Sequence, residues 1–289
     1  MTQLLDDLVR LLALEKIEEN LFRGASQDLG FRQLFGGQVF GQSLSAATQT
    51  VDPDRHVHSA HGYFLRPGDP TFPIVYHVDP VRDGGSFTTR RVQAVQKGRP
   101  IFTLICSFQG EEEGYTHQTT MPDVPGPDDL MNETELTRKY QHLIPESVRA
   151  KVLVDKPIEI RPVGIFNPFD PEPTEPVRYM WFRADGKLPD DPQLHRYLLA
   201  YASDFHLLGT AMLPHGISNW AGDMQVASLD HALWYHNPLR MNEWLLYAMD
   251  SPVASGARGL SRGQIFSQDG VLVASVTQES LMRKVPAKQ

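Results

Sequence analysis

Cysteine is nearly absent from this chain of 289 residues: Cys106 stands alone. A single thiol forms no intramolecular disulfide and excludes a Cys-x-x-Cys metal site, and both facts fit a reducing compartment. Basic charge is also scarce. Lys and Arg number 27 against 35 Asp and Glu, a formal net charge of −8 with no long cationic run. Sequence-independent nucleic-acid binding needs a one-signed basic surface, so no nucleic acid is expected as a partner, and a phosphate-bearing ligand would need a local basic patch. No apolar stretch approaches the roughly 20 residues that span a bilayer, so no membrane insertion is expected. Asp6 and Asp7 precede any apolar run and Arg10 interrupts the leucines, unlike a signal peptide. The final residues, Pro286 to Gln289, are no peroxisomal address. The expectation is a soluble, cytoplasmic protein.

Several chemical motifs are missing too. Without a Gly-x-Ser-x-Gly elbow there is no serine hydrolase of the α/β type. Gly36-Gly37 to Gly41 lacks the lysine of a phosphate loop. His56 and His58 alternate on one strand, but no third ligand stands out and no His-Glu-x-x-His occurs; no metal and no cofactor are expected. Cys106 lies in an apolar strand and reads as core.

What is present is a soluble composition, 41% apolar and 21% charged, with length enough for two modest domains. Leu4, Leu5, Leu8, Leu11 and Leu12 recur at helical spacing. Gly36 to Val51 reads as a second helix, rich in Gly, Ser and Ala, whose small side chains suit close burial against a sheet. Four β-rich segments follow, His56–Leu65, Ile74–Val81, Phe87–Gln96 and Ile101–Gln109, punctuated by Pro67-Gly68, Asp83-Gly84-Gly85 and Lys97-Gly98. One helix followed by hairpin-connected strands predicts an antiparallel sheet wrapped on that helix. From Glu111 to Pro176 prolines and acids dominate, which predicts a connection with one short helix near Asn132 to His142.

The second half then repeats the first. Asp191-Pro192 is an N-cap followed by proline at the first helical position, and Leu194, Tyr197, Leu198, Tyr201, Phe205 and Leu208 continue at helical spacing. Strands are predicted at Met224–Tyr235, Glu243–Asp250, Ala257–Phe266 and Val271–Gln278. Pro67 and Pro238, Tyr76 and Tyr247, Asp79 and Asp250, and Gln93 and Gln264 each lie 171 residues apart, His61 and His231 170 apart, and Gly98 and Gly270 172 apart. So long a period means domain duplication. The domains expected are 1–110, an N-terminal repeat; 111–176, a linker; and 177–289, a C-terminal repeat carrying the chemistry.

Duplication lets polar residues that break the apolar pattern in one half stand out. Gln278 ends an alternating apolar face, Leu272, Ala274 and Val276, whose counterpart around Cys106 stays apolar. Asp204 falls on the stripe of Tyr197, Tyr201 and Leu208, where the first half's helix has no carboxylate. Ser228 opens a strand opposite a counterpart near His58. Pattern alone leaves open that Gln278 meets solvent, that Asp204 caps a bend and that Ser228 is structural. An Asp, a Ser and a Gln make no nucleophilic triad, but they suit a held water: the acid takes its proton, and the hydroxyl and amide orient it.

The chain resembles the type II acyl-CoA thioesterase family over nearly its whole length. The matching stretches are Gly36-Gly37-Gln38, Phe64-Leu65-Arg66-Pro67-Gly68, Arg82-Asp83-Gly84 with Arg90-Arg91, Tyr201-Ala202-Ser203-Asp204, Ala227-Ser228-Leu229-Asp230-His231, Asn242-Glu243-Trp244, and Gln268-Asp269-Gly270 through Gln278-Glu279. The resemblance implies an α+β double hotdog fold, hydrolysis of acyl-CoA to fatty acid and coenzyme A, a place in lipid metabolism, and a homo-oligomer, dimer or tetramer. It puts the family's catalytic aspartate on Asp204, its glutamine on Gln278 and its third residue, often threonine, on Ser228. Coenzyme A carries phosphates, for which Arg66, Arg90, Arg91, Arg258 and Arg262 are the candidates. Two rivals remain: a hotdog enoyl-CoA hydratase, which needs an Asp–His pair at the thioester, and a non-catalytic acyl-CoA binding module.

Overall fold

The structure, a computed structural model, describes all residues except 1, 31–32, 147–148, 150–152, 219, 221–223 and 286–289. Leucines spaced by helical turns form α1, Gln3–Leu12, capped by Thr2, and bury Leu5, Leu8, Leu11 and Leu12. Two short strands follow, β1 (Glu15–Glu18) and β2 (Leu21–Gly24), then α2 (Gly36–Thr48). The hairpin-connected strands of the first half are β3 (His56–Phe64), β4 (Ile74–Asp83), β5 (Phe87–Gln96) and β6 (Arg99–Gln109). The intervening stretch holds α3 (Glu133–Lys139) and β7 (Ile158–Val163). The second half contains β8 (Val177–Ala184), α4 (Pro192–Ala202), α5 (Leu207–Thr210), β9 (Met224–Ser228), β10 (Asp230–Tyr235), β11 (Leu245–Ser255), β12 (Arg258–Ser267) and β13 (Leu272–Lys284).

Among the described residues the strands form one sheet, ordered β1-β2-β4-β5-β6-β3-β10-β13-β12-β11-β8-β7, with β9 paired to β13. The halves join where β3 pairs antiparallel with β10, Ala60 opposite Leu233. α2 packs against β3 to β6, and α4 packs against α2. This is the double hotdog arrangement: each half curls its strands over a helix, and the helices meet. One apolar core runs through both, joining Phe22, Phe102 and Phe108 to Phe182, Tyr201 and Tyr247. The helix contact depends on Gly37, where a Cβ would lie 2.2 Å from the Tyr201 carbonyl oxygen.

The duplication extends to paired interactions. Asp79 faces Arg91 across β4 and β5, bonded at 2.7 Å, and Asp250 faces Arg262 across β11 and β12 in an equivalent ion pair, each residue 171 from its counterpart. Four strands lie outside the sequence expectations. β1 is exposed throughout and shows no alternation. β7 carries Pro162 and sits at the sheet edge, where a strand tolerates proline. The stretch 111–176 is therefore not linker alone, because β7 extends the second half's sheet beyond β8.

α3 anchors that stretch. Asn132 and Glu135 form a reciprocal capping box. The Glu133 carboxylate accepts from Lys156 Nζ (2.6 Å) and His206 Nε2 (3.0 Å). Burial alone would raise the Glu133 carboxyl, but His206 and Lys156 pull it well below the usual carboxylate range. A depressed folded-state pKa adds stability that is present above the ordinary value of 4.5 and is lost as pH falls below it. Glu133→Gln should therefore lower the melting temperature at pH 7, and the gap to the wild type should narrow on acidification below about 4.5, as a pH series of thermal melts will read.

Candidate active site

α4 does not run through Asp204 as its periodicity suggests. It ends at Ala202, and His206 adopts a left-handed backbone, φ 61°. Ser203 Oγ lies 2.9 Å from the Ala200 carbonyl oxygen and 2.8 Å from His231 Nε2, and the Ser203 carbonyl accepts from the Tyr247 hydroxyl (2.8 Å). The Phe205 ring stacks on Phe35, centroids 5.0 Å apart, at the start of α2. These contacts hold the bend so that Asp204 meets the N-terminus of the other half's helix.

There the Gly37 N–H donates to Asp204 Oδ2 at 2.9 Å. A helix N-terminus favours an anion through its unpaired N–H groups and the macrodipole. Gly36 also leaves room: a Cβ on it would lie 2.8 Å from Asp204 Oδ2 and 2.9 Å from the Phe64 ring. Burial pushes the Asp204 carboxyl above the usual carboxylate range, and His231, the Gly37 N–H and the Gln278 amide draw it part of the way back.

Gln278 is fully buried on the inner face of β13. Its Nε2 donates to Ser228 Oγ (3.0 Å) and Ser280 Oγ (3.2 Å), and its Oε1 lies 2.6 Å from His231 Nδ1. Ser228 on β9 is directly opposite Ser280 on β13, which brings its hydroxyl to the amide. Gln278 bonds Ser228 and lies near enough to Asp204 to draw its carboxyl down, so the three residues expected to act together form one cluster.

The arginines do not gather there. Arg90 is 4% exposed, and its guanidinium nitrogens bond Thr50, Arg82, Thr89 and Asp83, leaving it unavailable to a phosphate. Arg91 pairs with Asp79, Arg258 with Glu279 and Arg262 with Asp250. Arg262 stands opposite Thr277 and Arg258 opposite Leu281, on the sheet face turned away from Gln278, because alternate strand residues point to opposite faces. Arg91 stands opposite the exposed Ile105, likewise away from buried Cys106. Arg66 is exposed, donates to the Pro100 carbonyl (2.6 Å), and follows Phe64 by two residues. The surface hollows lined by Lys16 to Asn20 with Thr50, and by Arg183 with Asn242 to Trp244, include none of the cluster.

One member escaped the sequence comparison. His231 is 1% exposed and belongs to the cluster, whereas the identity with His61 pairs it with an exposed outer-face residue. The offset of 171 shared by four of the other pairs aligns His231 with Ala60, and the 172 of Gly98 and Gly270 aligns Gln278 with Cys106. The change of offset falls in the β12–β13 turn at Gly270, whose counterpart turn holds Gly98. Ala60 faces Cys106 across β3 and β6, so an apolar pair in one half is a His–Gln pair in the other. A one-residue slip exchanges the two faces of a strand, and the 170-residue match conceals this.

Residues 147–281 match the family model described as acyl-CoA thioesterase, and 26–109 match the acyl-CoA thioesterase N-terminal domain. Acyl-CoA thioesterase 2 of Haemophilus influenzae is 45% identical, over 98% of this chain and 99% of that protein. This chain belongs to the acyl-CoA thioesterase family. Acyl-coenzyme A thioesterase 8 of Homo sapiens is 41% identical, covering 96% of this chain and 88% of its own. The crystal structure of acyl-CoA thioesterase II TesB2 from Mycobacterium marinum superposes with a TM-score of 0.79 at 44% identity, covering 97% of this chain and 99% of that one. In this thioesterase-family chain the cluster lies between the two matched regions: Gly37 comes from one, and Asp204, Ser228, His231 and Gln278 come from the other.

A raised folded-state carboxyl pKa means that the ionised side chain costs stability once pH exceeds its ordinary value of 3.8. Asp204→Asn keeps an oxygen for the Gly37 N–H and removes the buried charge. It should melt above the wild type at pH 7, and the advantage should shrink towards pH 4, as paired thermal melts will read.

Proposed function

We propose that this cluster hydrolyses acyl-coenzyme A thioesters with water as the attacking group and no covalent intermediate. The observation that carries the proposal is the Gln278 amide bonded to the Ser228 hydroxyl at 3.0 Å and near enough to the half-buried Asp204 carboxylate to favour its charge, in a chain of the thioesterase family. Asp204 acts as the general base, and Ser228 and Gln278 hold the water in line with the thioester carbonyl. The water oxygen bonds to the carbonyl carbon as one of its protons passes to Asp204. The negative charge that develops on the carbonyl oxygen is stabilised by a backbone N–H beside the cluster other than that of Gly37, which Asp204 holds. The C–S bond then breaks, coenzyme A leaves as thiolate, and the proton held by Asp204 returns to it or to solvent. The products are a carboxylic acid and free coenzyme A.

Burial pushes the Cys106 thiol up to about 12, so it stays protonated at neutral pH and offers no competing nucleophile. A hydratase would turn an imidazole near the acid towards substrate. His231 is the imidazole beside Asp204, and its two ring nitrogens are engaged by Gln278 and Ser203. The buried lone cysteine suits the reducing cytoplasm, where we place the activity within lipid metabolism, and a homo-oligomer follows from the family resemblance.

Thiol release from a saturated acyl-CoA tests the reaction, since a hydratase and a pure binding module release none. Asp204→Asn should lower turnover by on the order of 10²–10⁴-fold with substrate affinity nearly kept; full activity in that variant would remove Asp204 from the mechanism. Burial raises the Asp204 carboxyl, so the acid limb of kcat/KM should fall away above the ordinary carboxylate value of 3.8, as protonation removes the base. Arg66 is our candidate for the coenzyme A phosphates. Arg66→Ala should raise KM by up to about tenfold at low salt, less at high salt, with kcat unchanged.

A further inference from the structure

We propose that His231 is a positioning residue that fixes which end of the Gln278 amide faces Ser228. The proposal rests on the role given to Gln278 above. The Oε1 of Gln278 can only accept, and it lies 2.6 Å from His231 Nδ1, so that nitrogen carries the hydrogen. In the neutral ring Nε2 is then an acceptor, and Ser203 Oγ, 2.8 Å away, donates to it. If Ser203 turned its hydrogen to the Ala200 carbonyl (2.9 Å), Nε2 would need a hydrogen of its own and the ring would be a cation. His231 is 1% exposed, with the Phe40 ring edge-on at 4.8 Å, a setting that disfavours the charged form. The chain of donors therefore runs one way, from Ser203 to His231 to Gln278.

The direction matters at the far end. Reversing the amide would set its NH₂ against the Nδ1–H, two donors facing each other. With the amide held as it is, both of its hydrogens point to Ser228 and Ser280. Ser228 accepts from Gln278 and keeps its own hydrogen for the water or Asp204. A free amide would present oxygen to Ser228 half of the time and take that hydrogen. The first half lacks the device, because Ala60 and Cys106 occupy the corresponding positions.

The test compares His231→Asn, whose side-chain NH₂ can take the place of Nδ1–H, with His231→Leu, which has no donor. Both lose the ring and its contact with Phe40, so both should melt lower than the wild type. His231→Leu should lose on the order of 10²-fold in kcat with KM changed less than about threefold, and His231→Asn should recover at least about tenfold of that loss. Equal kcat in the two variants, following their stability, would overturn the proposal. Against a Gln278→Ala background His231→Leu should cost nothing further. If Gln278→Ala itself keeps wild-type turnover, the role of Gln278 fails; if it is impaired while His231→Leu is not, this inference alone fails. Nitrogen-15 NMR of the histidine-labelled wild type reads the ring directly at pH 8. Protonation at Nδ1 with bare Nε2 is expected, and the opposite tautomer or a doubly protonated ring overturns the proposal whatever the variants do.

Discussion

Everything in the site depends on a carboxylate held in a crowded interior by the end of a helix that belongs to the other half of the molecule. Removing an ionised acid from water is costly unless donors replace the water. Here the Gly37 N–H supplies one at 2.9 Å, and the nearby Gln278 amide also favours the charge. That contact requires α2 and α4 to approach more closely than side chains permit. Gly36 would press a Cβ onto Asp204 itself, and Gly37 would drive one into the Tyr201 carbonyl. The two adjacent glycines open the space, and the apolar core shared by the halves holds the helices against it.

Duplication explains why such a site arises once rather than twice. Both halves keep the scaffold: the cross-strand Asp–Arg pairs, and the buried tyrosines whose hydroxyls bond Gln42 Oε1 in one half and the Ser203 carbonyl in the other. They differ in what fills the inner face beneath. In the first, Ala60 and Cys106 pack as core, and Arg90 is drawn inward to Thr50 and Asp83. In the second, the same rows carry His231, Gln278 and Ser261. The first half contributes the helix N-terminus and the second the acid, the amide and the hydroxyl. Neither half alone holds the whole cluster.

Much of the scaffold was legible because its signals are local. Short β-rich runs bounded by Pro-Gly, Gly-Gly and Lys-Gly turns marked β3 to β6, and the 171-residue identities carried the pattern into β10 to β13. Two of the elements not read, β1 and β7, lack such signals. β1 buries nothing, and β7 hides in a proline-rich stretch and gains its identity only by pairing with β8. The arginines show the limit of reading charge without a face. Arg90 and Arg91 are neighbours, yet one is buried in a bonded pocket and the other lies on the far side of the sheet, since adjacent strand residues point in opposite directions.

The sequence by itself determined the residue types of the site, the repeat that exposes them and the family they resemble, because these are properties of order and spacing along the chain. Only the tertiary structure decided that α4 stops before Asp204, since a backbone bend held by Ser203, Tyr247 and His206 leaves no mark in helical periodicity. It alone placed Gly37 on that carboxylate, 167 positions away. It alone joined His231 to Gln278 and Ser203, because a hydrogen-bond direction depends on which acceptor meets which ring nitrogen across folded strands.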